Sequence, residues 1–185
     1  MNRSFAAPAP AESSDIHALP EGDIAAWLRG LGVNFVTGVP DSEFKEFIAE
    51  LEGSADPDIY RVGTREDNAV ALAAGARLAG GGVPLVFRES SGIGNAIDSL
   101  TSLAQVYELP MVLYIAWAGY KGRDVPHHNV IGRPLEHLLH ALSIPIVHCV
   151  VDKRIRNLEK AIIAARQLAL ASSQPVALLG APEET

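Results

Sequence analysis

The 185-residue sequence has one cysteine, Cys149, which excludes an intrachain disulfide and a cysteine-based zinc cluster. It lies in the apolar run Ile144-Pro-Ile-Val-His-Cys-Val-Val151. A buried structural thiol is expected there, because reactive thiols need an electropositive, partly exposed setting. Positive charge is scarce too. Fifteen Lys and Arg against 22 Asp and Glu give a net charge of −7, which argues against nucleic acid as the main partner. A local basic pocket for a small anion stays possible. No apolar run reaches the length of a membrane span, so no membrane association is expected. Residues 1–20 are rich in Ala, Pro and Ser without the apolar core of a signal peptide. They read as a disordered leader of a cytoplasmic protein.

What remains is ordinary globular material, 48% hydrophobic and 20% charged. Residues 21–185 are enough for one domain that buries roughly 70% of its unfolded surface. Helical and strand patterns alternate from residue 22 onward. Ile24, Trp27, Leu28 and Leu31 have helical spacing, as do Phe44, Phe47, Ile48 and Leu51, with Gly53 as a stop. Short apolar strands are predicted near Phe35, at Ile59–Val62, Leu85–Phe87, Met111–Ala116, Pro145–Val150 and Pro175–Leu179. Helices are predicted from Glu66 to about Gly80, Asn95 to Tyr107, and Lys153 to Ala171. Strands of continuous Val, Ile and Leu fit a sheet covered on both faces. The alternation predicts a doubly wound α/β domain with about six parallel strands.

In such sheets ligands gather beyond the carboxyl ends of the strands. Four segments follow predicted strands directly: Gly38-Val-Pro-Asp-Ser42, Thr64-Arg-Glu-Asp-Asn68, Ser90-Ser-Gly-Ile-Gly-Asn95, and the polar loop Gly122-Arg-Asp-Val-Pro-His-His-Asn-Val-Ile-Gly132. Glu66 opens an Ala-rich helix, where an acidic residue also suits simple capping. Asp41 and Ser42 equally suit an N-cap for the Phe44 helix. His127 and His128 sit in a predicted loop, and histidine titrates near neutral pH. His137 and His140 fall in an amphipathic helix and read as ordinary polar positions. The full dinucleotide fingerprint is absent around Gly92 and Gly94.

In this order and spacing, the four segments resemble the pyrimidine-binding domain of thiamine diphosphate-dependent 2-oxoacid decarboxylases. The likeness is greatest to phosphonopyruvate decarboxylase and to the alpha subunit of sulfopyruvate decarboxylase, from about Ile24 to Ala181. The resemblance implies that Glu66 hydrogen-bonds N1′ of the cofactor's aminopyrimidine. Asp41 and one of His127 and His128, with His128 matching the family histidine, would handle protons at the reacting centre. Pro40, Ser91, Gly92, Gly94 and Asn95 would line the cofactor, with the glycines allowing close approach of its ring. Asp41, Ser42, Lys45, Arg88 and Arg123 would meet the substrate. Lys45 also reads as a solvated helix residue, and Arg88 and Glu89 depart from the uncharged residues usual before the Ser-Gly.

Related enzymes hold magnesium and diphosphate with Gly-Asp-Gly followed by paired asparagines. Here Glu21-Gly-Asp23 lies in the wrong context, so no metal ligand is assigned to this chain. The resemblance therefore implies a second, beta chain carrying the diphosphate and Mg²⁺ in an α2β2 unit or a multiple. The expected activity is decarboxylation of a phosphonopyruvate- or sulfopyruvate-like acid to CO2 and an aldehyde. A carboligase subunit and a non-catalytic regulatory subunit are the alternatives.

Overall fold

The computed structural model describes residues 19–122, 124–151 and 155–182. The expected leader therefore lies outside the described residues up to position 18. Leu19, assigned to that leader, packs against the core instead. Its apolar side chain gains more from burial than from solvent.

Six parallel strands make one sheet: β1 (Val36–Gly38), β2 (Tyr60–Val62), β3 (Leu85–Glu89), β4 (Met111–Ala116), β5 (Ile146–Val151) and β6 (Pro175–Pro182). Their order is β2-β1-β3-β4-β6-β5, and every neighbouring pair is parallel. The doubly wound sheet expected from the alternation is present. The helices are α1 (Ile24–Gly30), α2 (Lys45–Glu52), α3 (Glu66–Leu78), α4 (Ile93–Asp98), α5 (Pro126–Gly132), α6 (Leu135–Ala141) and α7 (Ile155–Ser172).

Successive strand residues point to opposite faces. Leu85 and Phe87 join Ile24, Phe44, Phe47, Leu158 and Ile162 in one buried cluster, which packs α1, α2 and α7 on one face. Val86 joins Val70, Ala73, Ile93, Leu100 and Leu135 in the other, which packs α3, α4 and α6 opposite. Cys149 is 5% exposed in the first cluster, the buried position its apolar run suggests. From β1 the chain steps outward to β2, then crosses to β3 on the far side of β1. The switch between β1 and β3 opens a crevice at their carboxyl ends, where such sheets bind ligands.

Two segments differ from the sequence expectation. The helix expected from Asn95 starts earlier, with a 3₁₀ turn at Ser90–Gly92 leading into α4. It then widens into a π-helix over Ser99–Gln105. The polar loop ending at Gly132 contains α5, so His127 and His128 stand on a helix. Pro126 occupies its first turn, where the missing N–H costs nothing and the fixed φ is already helical.

Candidate active site at the carboxyl edge of the sheet

Glu66 is the first residue of α3, yet the N-cap position belongs to Arg65, which makes no side-chain cap. The Glu66 carboxylate is turned across the crevice instead. Its Oε2 accepts a hydrogen bond from Asn95 Nδ2 at 2.9 Å, and its stem lies against Gly92. A Cβ on Gly92 would stand 2.7 Å from Glu66 Cγ and 2.9 Å from Oε1, closer than packed atoms tolerate. A side chain at 92 would therefore push the Glu66 carboxylate out of this position. Gly94 has open space, since a Cβ there would meet nothing within 4 Å.

Arg88 lies behind this pair. It is 1% exposed, with Nη2 3.5 Å from the Glu66 carbonyl and Nη1 3.5 Å from the Gly92 carbonyl. Burial presses its guanidinium down to about 10, while the Glu66 charge works the other way. Its Nε has no hydrogen-bond partner. A cation enclosed in this way cannot reach a substrate, so the expectation that Arg88 contacts one is corrected. β3 places it beneath the start of α3, enclosed by the backbone of Glu66 and Gly92.

A second cluster forms where the next residue of β3 points the other way. Glu89 accepts from Ser90 Oγ at 2.7 Å, from Ser91 N at 3.0 Å and from Ser91 Oγ. Burial raises its carboxyl, but the Ser91 and Ser90 hydrogen bonds outweigh this and hold it below its ordinary range. His128 Nε2 stands 4.0 Å from Glu89 Oε2, and its Nδ1 stands 3.0 Å from Asp124 Oδ2. The rings of His127 and His128 meet edge to face, 4.3 Å apart, with His127 exposed and His128 half-buried.

Asp41 caps the 3₁₀ turn Ser42–Phe44 by accepting from Glu43 N at 2.9 Å, the N-cap role its position suggests. Glu43 is half-buried. Its carboxyl is pushed up by burial and then by the charges of Asp41, Asp124 and Glu89, with His128 opposing. Pro40, Ser42, Lys45 and Ser91 are exposed. Arg123 lies outside the described residues.

The structure therefore gathers Glu66, Gly92 and Asn95 at one corner and His128 with Glu89, Asp124 and Glu43 at another. The Glu89–Gly92 segment joins them. Glu43 and Asp124 were not singled out in the sequence. Asp124 had a usable signal, since it lies four residues before His128, one turn away if the segment is helical.

Residues 22–137 match the family described as thiamine pyrophosphate enzyme, N-terminal TPP binding domain. The chain belongs to this family. Phosphonopyruvate decarboxylase of Streptomyces viridochromogenes is 41% identical over 113 residues, 60% of this chain and 28% of that protein. Sulfopyruvate decarboxylase subunit alpha of Methanocaldococcus jannaschii is 31% identical over 153 residues, 82% of this chain and 87% of that subunit. The chain thus spans about a quarter of the first relative and most of the second. Benzoylformate decarboxylase from Polynucleobacter necessarius has the same fold, with a TM-score of 0.61 at 20% identity over 84% of this chain and 28% of its own. As a thiamine pyrophosphate-binding domain, the chain offers a fitting set: a half-buried carboxylate, an amide fixing one of its oxygens, and a glycine packed against its stem. No helix among the described residues is long and apolar enough to cross a membrane.

Proposed function

We propose that this chain is the alpha, pyrimidine-binding subunit of a heteromeric thiamine diphosphate-dependent 2-oxoacid decarboxylase of the cytoplasm. The observation that carries the reading is the Glu66 carboxylate, which forgoes capping its own helix and is held toward the crevice by Asn95 and Gly92. When bound, the cofactor supplies the electron sink for loss of CO2, and the protein's part is binding, orientation and proton handling.

Glu66 holds the aminopyrimidine through its ring nitrogen, while Pro40, Ser91, Gly92, Gly94 and Asn95 shape the bed around it. His128 returns a proton to the substrate carbon after CO2 leaves, with His127 packed on its ring. Asp41 and Ser42 face the substrate from the other bank of the crevice. With Arg88 buried, Lys45 and Arg123 are the cations left, among the expected substrate contacts, to receive a distal anion. The substrate class is a phosphonopyruvate- or sulfopyruvate-like acid, giving CO2 and an aldehyde, in keeping with the names of the relatives. A beta subunit holds the diphosphate and Mg²⁺, in an α2β2 unit or a multiple. The relative of matching length being named an alpha subunit supports this division.

CO2 release from a panel of 2-oxoacids tests the reading. This chain is mixed with a diphosphate-domain partner, thiamine diphosphate and Mg²⁺, and each chain is run alone. Release from the mixture only, with an aldehyde product, is the expected result. A stable complex that releases no CO2 from any acid overturns it, and an acyloin product moves the assignment to carboligation.

A further inference from the structure

Asp124 spends both carboxylate oxygens on one short segment. Oδ2 accepts from Gly119 N at 2.9 Å and lies 3.0 Å from His128 Nδ1, and Oδ1 accepts from Val125 N at 2.6 Å. Burial raises its carboxyl, but the hydrogen bonds from Gly119, Val125 and His128 prevail and hold it below the ordinary range. An ionised carboxylate accepts and cannot donate, so the proton between the two residues belongs to the ring.

The backbone around this contact is closely fitted. Gly119 has φ +75°, and a Cβ there would stand 2.1 Å from the His128 carbonyl oxygen, so only glycine lets α5 come this near. At the other end of α5, a Cβ on Gly132 would stand 2.4 Å from the Ala118 carbonyl oxygen. Asn129 Nδ2 donates to the Asp124 carbonyl at 2.6 Å. Asp124 and His128 are thus held one turn apart by backbone contacts on both sides, not by their own attraction alone.

We propose that Asp124 is a positioning residue that fixes His128 in the Nδ1–H tautomer, leaving Nε2, on the Glu89 side of the ring, as the atom that takes up and returns protons at the active site. A free neutral imidazole favours the opposite tautomer, with hydrogen on Nε2, so the assignment is not the default. The carboxylates around the ring divide the work. Asp124 determines which nitrogen carries the fixed proton. Glu89, 4.0 Å from Nε2, is too far for a direct hydrogen bond and leaves that nitrogen available. The tautomer of a working histidine is commonly set by the bond its other nitrogen makes. The catalytic part of the inference rests on the decarboxylase reading; the tautomer does not.

The test is a long-range ¹H–¹⁵N correlation spectrum of the ¹⁵N-histidine-labelled full chain without cofactor, at a pH where histidine is neutral, with His128→Gln assigning the signal. The expected result is a protonated-type Nδ1 and an unprotonated-type Nε2 for His128. An Nε2–H signal in the unsubstituted chain overturns the proposal without any variant having to fold, and leaves the decarboxylase reading standing. In D124A no side-chain oxygen is left to accept from Nδ1–H, and the ring is free to take its ordinary tautomer. His128 should then shift to the Nε2–H form, and an unchanged tautomer overturns the proposal. In the complex with the partner, D124A should lower kcat by about 10- to 100-fold with KM for the acid and the cofactor little changed. A loss confined to KM would place Asp124 in substrate or cofactor binding and overturn the positioning role.

Discussion

The two corners of the crevice are built from adjacent residues of one strand, yet they use opposite means. At the Glu66 corner the supporting group is a buried cation, Arg88, closed off beneath α3 and facing two backbone carbonyls. At the His128 corner the supports are carboxylates, Glu89 and Asp124, which remain partly accessible to solvent. The period of two along β3 sends Arg88 to one face and Glu89 to the other. Behind Glu66 the cation is closed off from water and touches backbone carbonyls, not the carboxylate itself. The His128 ring lies between two carboxylates and stays partly open to solvent. The difference lies in whether the supporting charge is closed off from water or shares the solvent with the group it supports.

The largest effect should come from the Glu66 corner. Glu66→Gln in the assembled enzyme is expected to cut turnover by about 10²- to 10⁴-fold, the range of a lost proton-handling group. A steady-state assay with the partner present checks this, and an undiminished rate would remove Glu66 from the chemistry. The same substitution should destabilise the chain by about 1 kcal/mol or less, because it removes a charge that acts on the Arg88 guanidinium without a direct ion pair. Urea unfolding of the single and double variants measures the coupling. Adding Arg88→Met should recover most of the loss. Strict additivity would mean that the two charges do not communicate and that Arg88 acts through packing alone.

Gly92→Ala sharpens the comparison at the next level. Its Cβ must displace the Glu66 side chain, at a cost of about 1–3 kcal/mol for overpacking. Thiamine diphosphate affinity of the assembled enzyme, read by titration, should fall with it. Gly94→Ala, in open space, should fold normally and serves as the control. If Gly92→Ala leaves both stability and affinity intact, the close fit around Glu66 carries no weight.

The smallest effect belongs to the His128 corner. Burial and neighbouring anions raise the Glu43 carboxyl above its ordinary 4.5, so the folded state binds that proton more tightly than the unfolded one. The stability this confers is fully present below the ordinary value and is lost as pH rises through the raised one. Glu43→Gln should therefore stabilise the chain at neutral pH, by less than about 1 kcal/mol once solvent screening is allowed for. The gain should vanish in acid below the ordinary value. Urea midpoints at the two pH values decide it, and a loss of stability at neutral pH would break the picture of a crowded anionic corner.

Most of the fold was legible in the sequence. Short β-rich runs set apart by helical spacing and Gly or Pro breaks forecast about six strands, and the described residues form six, all parallel. Two local misreadings share a cause. Ser90–Gly92 and Gly122–Gly132 looked like loops because Gly, Pro, Ser and Asn are poor helix formers on average. Pro126 in a first turn and the close backbone contacts at Gly119 and Gly132 override that average.

The sequence by itself determined the order of the elements, the carboxyl edge at which Asp41, Glu66, Ser91 and His128 would meet, and the family through their spacing. These follow from local periodicity and from the chain's direction through a parallel sheet. Only the tertiary structure decided that Arg88 is buried behind Glu66 and does not meet the crevice. Likewise, it alone showed that Gly92 makes room for a carboxylate, and that Asp124 and Glu89 flank the two nitrogens of His128. Such facts depend on which atoms far apart in the chain come within a few ångströms, and packing fixes those distances where sequence spacing does not.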